Sequence, residues 1–114
     1  MVTVEQVLEQ MKTLGWTVNG PTVPAKAPEG FSLFGPWKEF NSDMTPNGKW
    51  AVSANWNGSK FDKALYRNEW VRFTLDDEIT DVIERIKAAM AKAQDEVANA
   101  TPEIITMDLE KVKQ

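Results

Sequence analysis

Between Thr74 and Asn99 the chain reads TLDDEITDVIERIKAAMAKAQDEVAN, and Ile79, Val82, Ile83, Ile86, Met90, Ala93 and Val97 recur at the spacing that lines one side of an α-helix. Thr74 stands where an N-cap is wanted and Asp77 follows three residues later, so the sequence predicts a helix over 75–98. Asp76, Asp77 and Glu78 place negative charge at the positive end of the helix dipole. A helix of about 24 residues is roughly 36 Å long, enough to cover one face of a small sheet. The remainder of the chain has to supply that sheet.

The chain of 114 residues is short enough for a single domain, 1–114, and long enough to bury one core without staples. Hydrophobic residues make up 42% and charged residues 26%, ordinary globular values that argue against disorder. With no cysteine and no histidine, disulfides, thiolate nucleophiles, Cys/His zinc sites and imidazole bases are all excluded. The opening residues lack a secretory pattern and no apolar run approaches membrane-spanning length, so the expectation is a cytoplasmic, unprocessed protein with no membrane contact. The net charge of −4 divides as −1 over residues 1–25, +2 over 26–73 and −5 over 74–114.

From the N-terminus, Thr3 and Gln6 form a capping box with Val2 and Val7 positioned to staple across it. Val4, Val7, Leu8, Met11 and Leu14 continue the helical spacing, which predicts a helix over 3–14 ended by Gly15. Trp16-Thr17-Val18 is consistent with a short strand. Residues 20–30, GPTVPAKAPEG, hold three prolines and read as an extended connector. An aromatic stretch follows from Phe31, and Gly35-Pro36 inside it favours an edge strand or a bulge.

Asn41–Gly48 is turn chemistry throughout, with Pro46-Asn47-Gly48 predicting the reversal itself. Trp50, Val52, Ala54 and Trp56 alternate with Ala51, Ser53 and Asn55, the period of a strand with one buried face. Asn57-Gly58, formally the start of a glycosylation sequon, reads as a hairpin turn. Lys60–Tyr66 then pairs back as a strand, with a short capped helix as the alternative, and Glu69–Phe73 runs on as a strand into the long helix. Residues 102–112 support either a strand or a helix. The sum is an α+β domain: a small antiparallel sheet of three or four strands over 31–73, packed on the long C-terminal helix, with an N-terminal helix on the same face.

No catalytic motif is present. The six glycines form no phosphate-cradling pattern, no G-x-S-x-G occurs, and the expectation is a non-enzyme without cofactor or metal. Asp77, Asp81 and Glu84 share a helix face, but Asp81 with Arg85 and Glu84 with Lys87 read as surface ion pairs. Four tryptophans, Trp37, Trp50, Trp56 and Trp70, fall in the predicted sheet. Trp37, Lys38, Asn57, Lys60, Lys63, Arg67 and Arg72 are the candidate binding residues, because exposed aromatics and cations on a sheet and its turns carry recognition.

Two partners suit them. The first is a protein, with the chain acting as a small binding module. In size, acidity and lack of catalytic groups it resembles, as a class, the accessory and inhibitor proteins that phages and mobile elements encode to bind host complexes. The alternative is single-stranded nucleic acid, its bases stacked on the rings and its phosphates followed by Lys and Arg. A third reading is a structural subunit whose helix 1 or tail exchanges between copies; the oligomeric state is open.

Overall fold

The computed structural model describes residues 1–20 and 28–101. Most of the expected 20–30 connector and the whole of 102–112 lie outside the described residues. The elements in order are α1 (Val4–Lys12), β1 (Thr17–Val18), β2 (Phe31–Phe40), β3 (Pro46–Lys60), β4 (Lys63–Phe73) and α2 (Ile79–Ala98). The strands lie side by side in chain order, β1 parallel to β2 and the rest antiparallel. The α+β architecture is as expected, except that β1 makes the sheet mixed.

The helix α1 begins as its sequence requires. Thr3 Oγ1 accepts from the Gln6 N–H at 3.1 Å while Gln6 Oε1 accepts from the Thr3 N–H at 2.9 Å, the reciprocal capping box. Val7 and Met11 are completely buried and Val2 nearly so. Leu33 of β2, Val52 and Ala54 of β3, and Val71 and Phe73 of β4 meet them from the sheet, and Val82, Ile86 and Ala93 of α2 meet them from above. Both helices therefore pack on one face of the sheet. Each fully buried branched side chain contributes about 1.5–3 kcal/mol.

Three boundaries differ from expectation, each for a physical reason. The first is the start of α2, which begins at Ile79 behind an N-cap at Glu78, not at Thr74. The Leu75 carbonyl accepts the Val2 N–H at 3.1 Å, and the Asp77 carboxylate accepts the Thr74 N–H at 2.9 Å and Arg85 Nη1 at 3.2 Å. Residues 74–77 are thus held as a turn that ties the N-terminus down. Arg85 goes to Asp77 instead of Asp81, whereas Glu84 does pair with Lys87 at 3.6 Å.

The second is the β3–β4 reversal, which falls at Phe61-Asp62, both left-handed at φ 55° and 58°, and not at Asn57-Gly58. A two-residue turn at Asn57-Gly58 would set Val52 opposite Lys63. The observed register sets Val52 opposite Val71 and Trp50 opposite Phe73, burying apolar against apolar. Gly58 serves a different need: a Cβ there would stand 2.7 Å from the Trp56 ring. The expected Lys60–Tyr66 strand is divided by that turn, Lys60 ending β3 and Lys63–Tyr66 opening β4, and the helical alternative does not form.

The third is the β2–β3 reversal, which occupies 41–45, one turn before Pro46. Asn41 N–H donates to the Thr45 carbonyl at 2.7 Å, and Asp43 Oδ1 accepts from Thr45 N–H at 3.0 Å and Thr45 Oγ1 at 2.6 Å. Pro46-Asn47-Gly48 instead lies within β3 as an irregularity opposite Lys38–Phe40, with Gly48 at φ 82°.

Candidate binding face

The sheet's second face carries no described helix. Strand pairing puts Phe34, Ser53 and Trp70 in one row across it, Ser32, Asn55 and Asn68 in the next, and Trp37, Ala51 and Arg72 on the other side. Asn57 with Tyr66 continues the pattern toward the β3–β4 turn. Phe34 and Trp37 are three apart yet share this face, because Gly35-Pro36 adds one residue to β2 in a bulge. Gly35 is required there: its φ is +111°, and a Cβ would stand 2.7 Å from the Ala51 carbonyl oxygen. The Asn19 side chain holds the bulge from outside, donating to the Gly35 carbonyl at 2.6 Å and accepting the Gly35 N–H at 2.7 Å.

The rings form a continuous row. Phe34 stacks on Trp37 at 6.4 Å with planes 6° apart, and Trp37 reaches Trp70 at 5.6 Å across the central strand. They can meet because β3 presents only Ala51 and Ser53 beneath them; both are buried by the overhanging rings. The Ser53 hydroxyl meets the side-chain amides of Asn55, at 2.5 Å, and Asn68. Trp37, Tyr66 and Trp70 remain 43%, 54% and 51% exposed. Taking about 200 Å² per ring, these three alone offer roughly 300 Å² of aromatic surface, the size at which a patch carries meaning. Arg72 Nε donates to Glu39 Oε1 at 2.7 Å, which holds the Glu39 carboxyl below its usual range.

The candidate residues divide between the two faces. Trp37, Asn57 and Arg72 alternate onto the aromatic face, Asn57 within a strand and not at a hairpin tip. Lys38 is opposite Trp50 and lies over its ring at 5.9 Å, on the helix side. Lys60 donates to the Val97 carbonyl and, at 3.1 Å, to that of Ala98, supplying at the C-terminus of α2 the positive charge that the helix's last turn lacks. Arg67 pairs with Glu96 at 3.8 Å, and its strand neighbour Glu69 with Lys92 at 3.4 Å. Lys63, opposite Lys60, is also on the helix side.

Trp70, Tyr66 and Phe34 belong to the face and could have been found from their alternation with Val71, Leu65 and Leu33; Trp37 is brought round to join them only by the bulge. Trp50 and Trp56 share the buried parity of Val52 and Ala54 as expected, Trp50 against the main core and Trp56 against Leu65 and Ala100.

Beside the pair of carboxylates on Glu69 and Glu96, the Glu96 carboxyl is pushed up to about 7, first by its hydrogen bond with Glu69, then by burial and by the Glu69 charge. No group of three or more His, Cys, Asp or Glu positioned to hold a metal occurs among the described residues, and no helix among them is long and apolar enough to cross a membrane. No known family model matches the chain, and neither does any curated protein or solved structure.

Proposed function

We propose that this chain is a non-enzymatic protein-binding module whose contact surface is the uncovered sheet face bearing Phe34, Trp37, Tyr66 and Trp70. The observation that supports this is the separation of rings from cations. Single-strand nucleic-acid binders need bases to stack where phosphates meet Lys and Arg. Here Lys38, Lys60, Lys63 and Arg67 are on the opposite face from the ring row, and Arg72 is engaged by Glu39. Apart from Lys49 and the Arg72–Glu39 pair at one end, what surrounds the rings is uncharged serine and asparagine, the composition of a protein interface core, from which charge is depleted and in which Trp and Tyr carry most of the energy. An accessory or inhibitor role, of the kind phages and mobile elements use against host complexes, fits such a module.

The test is affinity capture from host lysate, with and without nuclease, using the wild-type chain and the Trp37→Ala/Trp70→Ala double variant in parallel. A protein held by the wild type and released by the variant, with the variant's circular dichroism unchanged, is the expected result. Recovery of nucleic acid, or capture indifferent to both rings, overturns the reading.

A further inference from the structure

Resting on the protein-binding reading of the same face, we propose that the partner it fits is a second copy of this chain, the two sheets packing face to face about a two-fold axis. Three features support self-association. The first is charge. α2, on the other side of the sheet, carries Asp81, Glu84, Asp95 and Glu96 against Arg85, Lys87 and Lys92, and Asp76, Asp77 and Glu78 stand in the turn before it. The aromatic face has its charges at one end, Lys49 and the Arg72–Glu39 pair, and is uncharged along the rest. Two copies can therefore approach on this face with little like-charge repulsion.

The second is relief. Trp37 and Trp70 lean together over Ala51 and Ser53 and make a ridge, while the neighbouring Ser32–Asn55–Asn68 row has only short side chains. A two-fold rotation lays the ridge of one copy along the low row of the other, as inner-face side chains interdigitate between packed sheets. The third is size. Three strands about ten residues long cover roughly 15 by 33 Å, about 500 Å² in projection. Two such faces together bury about 1,000 Å², the size at which a specific interface begins, which suits a dimer that dissociates in the micromolar range.

The test is sedimentation equilibrium of the full chain over roughly 2 to 200 µM at neutral pH, a span that covers micromolar dissociation constants, with the Trp70→Ala and Tyr66→Lys variants alongside. Tyr66 is outside both buried clusters, so its replacement leaves folding intact if Trp70→Ala does not. The expected result is a concentration-dependent dimer whose dissociation constant rises at least tenfold in either folded variant. A wild-type chain that stays monomeric throughout, or a dimer untouched by the substitutions, overturns the proposal. In the first case, Trp-dependent capture of a foreign protein would leave the module reading standing while this one fails.

Discussion

Gly35 and Glu96 show how single positions are constrained by opposite kinds of pressure. Gly35 combines a left-handed φ of +111° with an approach to the Ala51 carbonyl that leaves no room for a methyl group. Gly35→Ala meets backbone strain and a backbone atom that has no easy escape, so it should lower stability by about 2–4 kcal/mol in denaturant titration. A loss under 0.5 kcal/mol would mean the bulge is adaptable. Sequence identified the dipeptide as a bulge candidate but not the face it would rotate, since a parity count carries no information on where an extra residue enters.

Glu96 is constrained by charge. Its folded carboxyl titrates near 7, above the ordinary 4.5, so the folded state holds a proton that the unfolded chain has given up. Stability contributed by that protonated form is complete below about 4.5 and is lost as pH rises through 7. Glu96→Gln should therefore raise the unfolding free energy relative to wild type at pH 8, by about 1 kcal/mol after solvent screening, with the difference vanishing near pH 4.5 in denaturant titration. The arm that decides is pH 8: no gain there would show that the Arg67 and Lys92 charges already neutralise the pair.

Among the elements, the β3–β4 hairpin is where local preference and packing part company. Asn57-Gly58 is the strongest kind of short hairpin former, yet it lies inside β3, and the turn is made by Phe61-Asp62, where Asp tolerates the left-handed region but Phe does not favour it. The reason lies in what each register buries. Moving the turn by four residues would separate Val52 from Val71 and Trp50 from Phe73, and would remove Leu65 from the place where it is buried against Ala100 and Trp56. Several buried apolar pairs outweigh a turn preference of about 1 kcal/mol. The turn is then a site of tolerated strain. Phe61→Asn with Asp62→Gly should stabilise the protein by about 1 kcal/mol, read as a higher denaturant midpoint with an unchanged slope. A destabilised double variant would mean that Phe61, though half exposed and beneath the Lys60 ammonium at 5.5 Å, contributes packing that outweighs its backbone cost. The helices were the most legible elements because their caps and stripes are local. Thr3 and Gln6 behave as their spacing requires, whereas Thr74 does not, because the Leu75 carbonyl is claimed by Val2, a partner 73 positions away that no local pattern reveals.

At the scale of the whole molecule, the sheet separates two functions that the linear sequence interleaves. Between Lys49 and Phe73, aromatics and cations alternate along the chain, and in one dimension that mixture resembles a nucleic-acid platform. Folding turns most of the cations away from the exposed rings: odd positions of β4, with Arg67 and Glu69, turn toward α2 and its Glu96 and Lys92, while Tyr66, Asn68 and Trp70 turn away and only Lys49 and Arg72 stay with them, at one end. The sorting follows from the two-residue strand period, and only the direction of the buried face was needed to read it. It also makes a prediction about binding. Titration of a short thymidine oligonucleotide should leave the tryptophan fluorescence essentially unchanged through micromolar concentrations at about 0.15 M salt, weaker than the roughly 10⁻⁴–10⁻⁶ M of ordinary non-specific binders. Quenching in the micromolar range that weakens steeply with added salt would show that Lys49 and Arg72 suffice as phosphate contacts after all. The same titration on Trp70→Ala would then locate the stacking ring. Absence of quenching, together with a wild-type chain whose fluorescence shifts on self-dilution, would instead tie the exposed rings to protein contact, because Trp37 and Trp70 are the tryptophans most open to solvent among those described.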